Sequence, residues 1–168
     1  MYQRILVAID GSETSVLAFD AALRIARKTN AELEPIYVID APMMAYNIPG
    51  FDPASLRNSM MTEGTRVTNE ALAKMHQQKV RGAARIAEVD AFGDGVAQRL
   101  LVAANELNAD LVVLGSHGRR GFQRLLLGSV AERFIRIATC QVLLVPSVSP
   151  NVPGAAEVPA AVSVEDPV

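Results

Sequence analysis

The chain has 168 residues, half of them hydrophobic and 20% charged, enough for one domain with a buried core. A net charge of −2 excludes a polycationic surface for nucleic acid, and a single cysteine, Cys140, excludes an intrachain disulfide. The N-terminus has neither the apolar region of a signal peptide nor the length of a membrane span, so no membrane role is expected and the cytoplasm is the expected location.

In chain order, the apolar run 5–9 reads as a buried strand that meets a turn at Asp10-Gly11-Ser12. Val16, Phe19, Leu23 and Ala26 recur at helical spacing and predict a helix with one apolar stripe. Residues 33–39 predict a second strand, followed by a Pro- and Met-rich loop over 40–54 and a long, rather polar helix over 55–79. A third strand is expected at 84–89 and a third helix at 93–107, with Val96, Leu100, Ala103 and Ala104 on one face. The fourth strand (111–114), fourth helix (129–138) and fifth strand (141–145, stopped by Pro146) complete the pattern. Residues 147–168 hold four prolines among Ala, Val and Ser without periodicity, which predicts a flexible tail behind a domain ending at 146.

Strands alternating with helices imply right-handed crossovers and a mostly parallel sheet. Continuous apolar strands such as 111–114 fit a sheet covered on both faces. The predicted fold is therefore a single-domain α/β sandwich: an open five-stranded parallel sheet with helices on both sides. Ligands of such sheets sit beyond the strands' carboxyl ends, where strand order reverses. The Asp10 turn and the segment after 114 both lie at such ends.

That second segment carries Gly115, Gly118, Gly128 and Ser129 in the pattern G-x2-G-x9-G-S. Loop glycines let main-chain N–H groups approach a ligand closely, and a helix start behind them adds unpaired donors and a positive dipole end. The combination suits phosphate without a lysine. An alternative stands beside it. Ser129-Val130-Ala131-Glu132 also spells a capping box, with Ser129 as N-cap and Glu132 three residues on, which needs no ligand. Asp10 is likewise open between a ligand contact and the N-cap of the first helix. Arg119, Arg120 and Arg124 are placed to pair with phosphate oxygens or to form a solvated loop face. His117 fills the same loop, and His76 is expected on an exposed helix face.

Other motifs fail. There is no G-x4-G-K-[ST], so a P-loop NTPase is excluded. Gly93-Asp94-Gly95 begins a dinucleotide fingerprint, but Gln98 stands where the third glycine belongs, and a turn into the third helix is the better reading. Metal-ligand spacing of His and Cys is absent, and Cys140 reads as a packed side chain.

The glycine pattern, the strand ending in Asp10-Gly11-Ser12, the strand ending Val38-Ile39-Asp40 and the closing Val142-Leu143-Leu144-Val145-Pro146 together resemble the universal stress protein family over residues 2–146. Members bearing this glycine pattern bind ATP, and a second branch without it does not. The resemblance implies ribose contacts at Asp10 and Gly115, and a main-chain contact from Val38 to adenine, with Ala8 and Ile9 lining the pocket. It implies phosphate contacts at Gly118, Gly128, Ser129 and Val130; Arg119 joins these as a further contact expected from its place in the loop. It also implies Mg or Mn held beside the phosphates with help from Asp10, and a homodimer formed through the last strand, Gln141–Val145. The expected role is binding, with ATP occupancy biasing a conformation or an interaction with a client protein. A slow ATPase or nucleotide-transferring enzyme, and a dimerisation module without nucleotide, are the alternatives.

Overall fold

The computed structural model describes residues 1–40, 52–90, 95–116 and 127–146. The flexible tail expected at 147–168 and most of the loop expected at 40–54 lie outside these residues. The elements run β1 (Arg4–Ala8), α1 (Glu13–Thr29), β2 (Glu32–Ile39), α2 (Pro53–Gln77), β3 (Arg85–Glu88), α3 (Val96–Leu107), β4 (Leu111–Gly115), α4 (Ser129–Ile137) and β5 (Gln141–Val145). All four strand pairings are parallel, in the order β3-β2-β1-β4-β5. The chain steps outward from β1 to β3, then returns to the other side of β1 for β4. The order therefore reverses between β1 and β4, as expected of a doubly wound sheet.

Side-chain alternation along β1 explains the two cores. Ile5 and Val7 join Phe19 and Leu23 of α1, Tyr37 of β2 and Val67 of α2 on one face. Leu6 joins Ile36, Leu100 of α3, Val112 and Phe134 of α4 on the other. The expected stripe of α1 holds at Phe19, Leu23 and Ala26 but not at Val16, which is 44% exposed. Val16 lies on the same side of the helix as Leu23 but in the first turn. The first turn is buried through Thr14 and Ser15 instead, so the covered arc there is rotated away from Val16.

Local chemistry sets the boundaries. Asp52 caps α2 by accepting from the Ala54 N–H at 3.0 Å, and Pro53 occupies the first turn, where its missing N–H costs nothing. Asn30 and Asn108 end α1 and α3 in the left-handed conformation. Gly95, at φ 85°, is the turn into α3, which begins at Val96 rather than at 93. Gly64 brings α2 close to β2, since a Cβ there would stand 2.8 Å from Tyr37 Cδ1. Arg57 Nε donates to Glu88 Oε2 at 2.9 Å and ties α2 to β3. No helix among the described residues is long and apolar enough to cross a membrane.

Candidate functional site

A cleft of about 360 Å³ opens at the carboxyl ends of β1, β2 and β4. It is lined by Ala8, Ile9, Asp10, Val38, Gly115, Gly128, Ser129 and Val130, so the fold gathers eight of the ten expected site residues around one space. The other two, Gly118 and Arg119, lie outside the described residues, as do His117, Arg120 and Arg124.

The β1 end is shaped by a tight turn. Asp10 Oδ1 accepts from the Ser12 N–H at 2.9 Å, and Ser12 Oγ accepts from the Ser15 N–H at 3.2 Å. Ser12, not Asp10, is therefore the N-cap of α1. Ser15 Oγ closes the turn by donating to Ser12 O at 2.9 Å and accepting from the Asp10 N–H at 3.3 Å. Gly11 sits at φ 80°, a backbone conformation that favours glycine, while an added Cβ would meet only the mobile tip of Glu63 from α2. The result holds the Asp10 carboxylate at the cleft instead of on the helix end.

Strand register gives the main chain of Val38 a direction that its side chain does not advertise. The Ile9 N–H donates to Ile36 O at 2.9 Å, just past the paired residues of β1 and β2. Alternate residues of a strand turn their N–H and C=O to opposite sides. Val38 therefore turns both groups the way Ile36 does, but past that rung, into the cleft. Ile39 faces the other way, its carbonyl accepting from the Val89 N–H at 2.9 Å.

At the other end, α4 starts without a side-chain cap. Gly128 is its N-cap, in an extended conformation (φ −61°, ψ 145°), and Ser129 is the first helical residue. The alternative capping box does not form: Glu132 instead accepts from Arg136 Nη2 at 2.8 Å. The glycine takes the cap position one residue earlier, leaving the first helical N–H groups at Ser129, Val130 and Ala131, all cleft residues, without a side-chain partner. Two main-chain bonds fix this helix start. The Gly128 N–H donates to Ser116 O at 2.7 Å, and the Ser116 N–H donates to Val145 O at 2.8 Å.

From β2 across β1 to β4 is two strand spacings, about 9.6 Å. That distance separates an apolar end (Ile36, Val38, Val96, Leu100) from an end of glycine, serine and helix amides. Sequence reasoning missed Ser15, Tyr37, Asp40, Met60 and Ser116, which also line the cleft. Asp40 was readable as the residue ending the second strand; Met60 needed the position of α2. Asp10 and Asp40 are the charged side chains of the described lining, and no group of three His, Cys, Asp or Glu gathers among the described residues. Cys140 is half-buried within the α3/α4 core and burial pushes its thiol pKa up, in keeping with a packed side chain. His76 is exposed, as expected.

The profile of the universal stress protein family matches residues 1–146. The chain belongs to that family. Among its relatives, a universal stress protein of Methanocaldococcus jannaschii is 33% identical over 145 residues, covering 86% of this chain and 82% of its own. A crystal structure of a universal stress protein family member from Burkholderia pseudomallei is 42% identical and superposes with a TM-score of 0.73, covering 87% of this chain and 97% of that one. Another universal stress protein, solved in complex with cAMP, is 26% identical with a TM-score of 0.63 and covers 86% of this chain and 97% of its own.

Proposed function

We propose that this universal stress protein binds adenine nucleotide, and ATP in particular, in the cleft between β1, β2 and β4. The observation that carries the reading is the uncapped start of α4, opening on the same space as the main-chain edge of Val38. Phosphate oxygens accept from the amides of Ser129 and Val130 and from the Ser129 hydroxyl, where the helix dipole favours negative charge. The ribose lies against Asp10 and Gly115. The base fits the apolar end beside Ala8 and Ile9, its polar edge meeting the N–H and C=O of Val38. The cAMP complex of a relative supports a nucleotide of this class. Gly118 and Arg119 complete the phosphate end in this reading.

Magnesium or manganese would supply charge neutralisation beside the phosphates. Asp10 offers a carboxylate for it, but an octahedral ion would need most of its oxygens from phosphate and water. The described lining supplies main-chain amides, hydroxyls and the carboxylates of Asp10 and Asp40, groups suited to holding and orienting a nucleotide. Binding that biases a conformation or a client interaction is therefore the proposed role, in a homodimer joined along β5, an edge strand whose Val142, Leu143, Leu144 and Val145 are all half-buried.

Calorimetric titration of the protein with Mg·ATP tests the reading, using Gly128→Ala as the probe. At φ −61° and ψ 145° an alanine is unstrained, so any lost affinity reports on space for the ligand and not on the backbone. The expected loss is about tenfold or more, equivalent to about 1.4 kcal/mol, with the fold intact by circular dichroism. Unchanged affinity would overturn the phosphate assignment. Multiple turnover of ATP that disappears in Asp10→Ala would replace the binding role with an ATPase.

A further inference from the structure

The sheet-facing stripe of α2 runs through Gly64, Val67, Thr68, Ala71 and Met75, all buried. Met60, four residues before Gly64, falls on the same stripe one turn nearer the carboxyl ends of the strands. It packs against the α1/α2 core yet is only half-buried, because the cleft opens beneath it and its side chain forms part of the wall. Its neighbour Met61 is also half-buried but does not line the cleft, and Met75 is 1% exposed. Among the described methionines past Met1, Met60 alone combines solvent access with a place in the ligand wall.

We propose that Met60 is an oxidation site through which peroxide weakens nucleotide binding. The inference rests on the nucleotide reading above. A thioether gives a base a soft, polarisable contact, and its sulfoxide is a polar, chiral group with a strong acceptor oxygen. The sulfur lone pair attacks one peroxide oxygen and the O–O bond breaks. Sulfur gives up two electrons to the O–O bond, and the departing hydroxide takes the proton of the new S–OH group, leaving sulfoxide and water. The new S–O dipole stands in the cleft wall, where covering it with a base removes its hydration. A nucleotide seated against that wall also covers the sulfur and slows peroxide's approach to it.

The test uses the full chain. Hydrogen peroxide is added, sulfoxide at each methionine is measured by peptide mass spectrometry, and Mg·ATP affinity is taken before and after. Oxidation at Met60 is expected to weaken ATP by about fivefold or more, with recovery on treatment with methionine sulfoxide reductases. Saturating ATP slows oxidation at Met60 and leaves the rate at Met61 unchanged. Met61→Leu keeps the peroxide effect, and in Met60→Leu peroxide no longer changes the affinity of the variant. Complete oxidation at Met60 with unchanged affinity, or an equal fall in Met60→Leu, overturns the inference and leaves the nucleotide reading standing. Failure of the untreated protein to bind ATP overturns both.

Discussion

Replacing Gly64 with alanine sets two opposing effects against each other at the back of the cleft. Alanine in a helix interior is favoured over glycine by about 0.8–1 kcal/mol. Its Cβ, however, would lie 2.8 Å from Cδ1, 3.1 Å from Cε1 and 3.3 Å from Cγ of Tyr37. Carbon atoms in good contact stand about 3.5–4.0 Å apart, so α2 or the ring must move by about 0.7 Å. The ring has little freedom: Tyr37 is 1% exposed and sits on β2 between β1 and β3. Overpacking of this kind costs about 1–3 kcal/mol. The net expectation is a destabilisation of about 1 kcal/mol, or a fall in Tm of about 2–4 °C. Tyr37 and Met60 both line the cleft, so ATP affinity falls with it. Urea melts followed by circular dichroism measure the first effect and calorimetry the second. In a Tyr37→Val background the ring is gone, and the same Gly64→Ala change is expected to stabilise, which a double-mutant cycle reads directly. If Gly64→Ala alone raises stability by about 1 kcal/mol, helix propensity dominates and the close contact does not limit the packing.

Two further expectations concern the sheet. Glu34 is almost fully buried on β2, and burial raises its pKa against the opposing pull of Arg85; Oε1 lies 2.7 Å from Arg85 Nε but makes no hydrogen bond. A carboxyl raised in the folded state contributes stability below its unfolded pKa and loses it as pH rises through the folded value. Glu34→Gln should therefore gain on the wild type as pH rises through and above the ordinary glutamate range; parallel stability profiles would refute this. On β5, Val145 O accepts from the Ser116 N–H on the β4 side, so alternation turns the N–H of Val142 outward. Val142→Pro removes an outward donor and leaves the β4 ladder bonded. Light scattering is expected to show a monomer with native circular dichroism, and an unchanged dimer would place the interface elsewhere.

The architecture was legible because each strand is a short apolar run and each helix except α2 carries a clear stripe. Where two residues compete for one local job, sequence alone left the choice open. Asp10 and Ser12 are both good caps; the turn at Gly11 gives the cap to Ser12 and leaves Asp10 to the cleft. Ser129 and Glu132 match a capping box, yet Gly128 takes the cap one residue earlier. Val38 was named from family resemblance, since a main-chain contact leaves no mark on residue type. Strand register turns its N–H and C=O to the side where the cleft opens. Met60 and Tyr37 were missed because their place in the wall depends on how closely α2 approaches β2, and Gly64 sets that approach across the long connection from β2.

The paired bonds at Ser116, one to Gly128 and one to Val145, also bear on how this site can diverge. They staple both ends of the connection 117–127 to the sheet, so the amides of α4 keep their aim whatever the intervening residues are. Lengthening a closed loop is cheap, about 0.6 kcal/mol for each doubling. Insertions between Ser116 and Gly128 can thus change the chemistry of that segment while the start of α4 stays where it is.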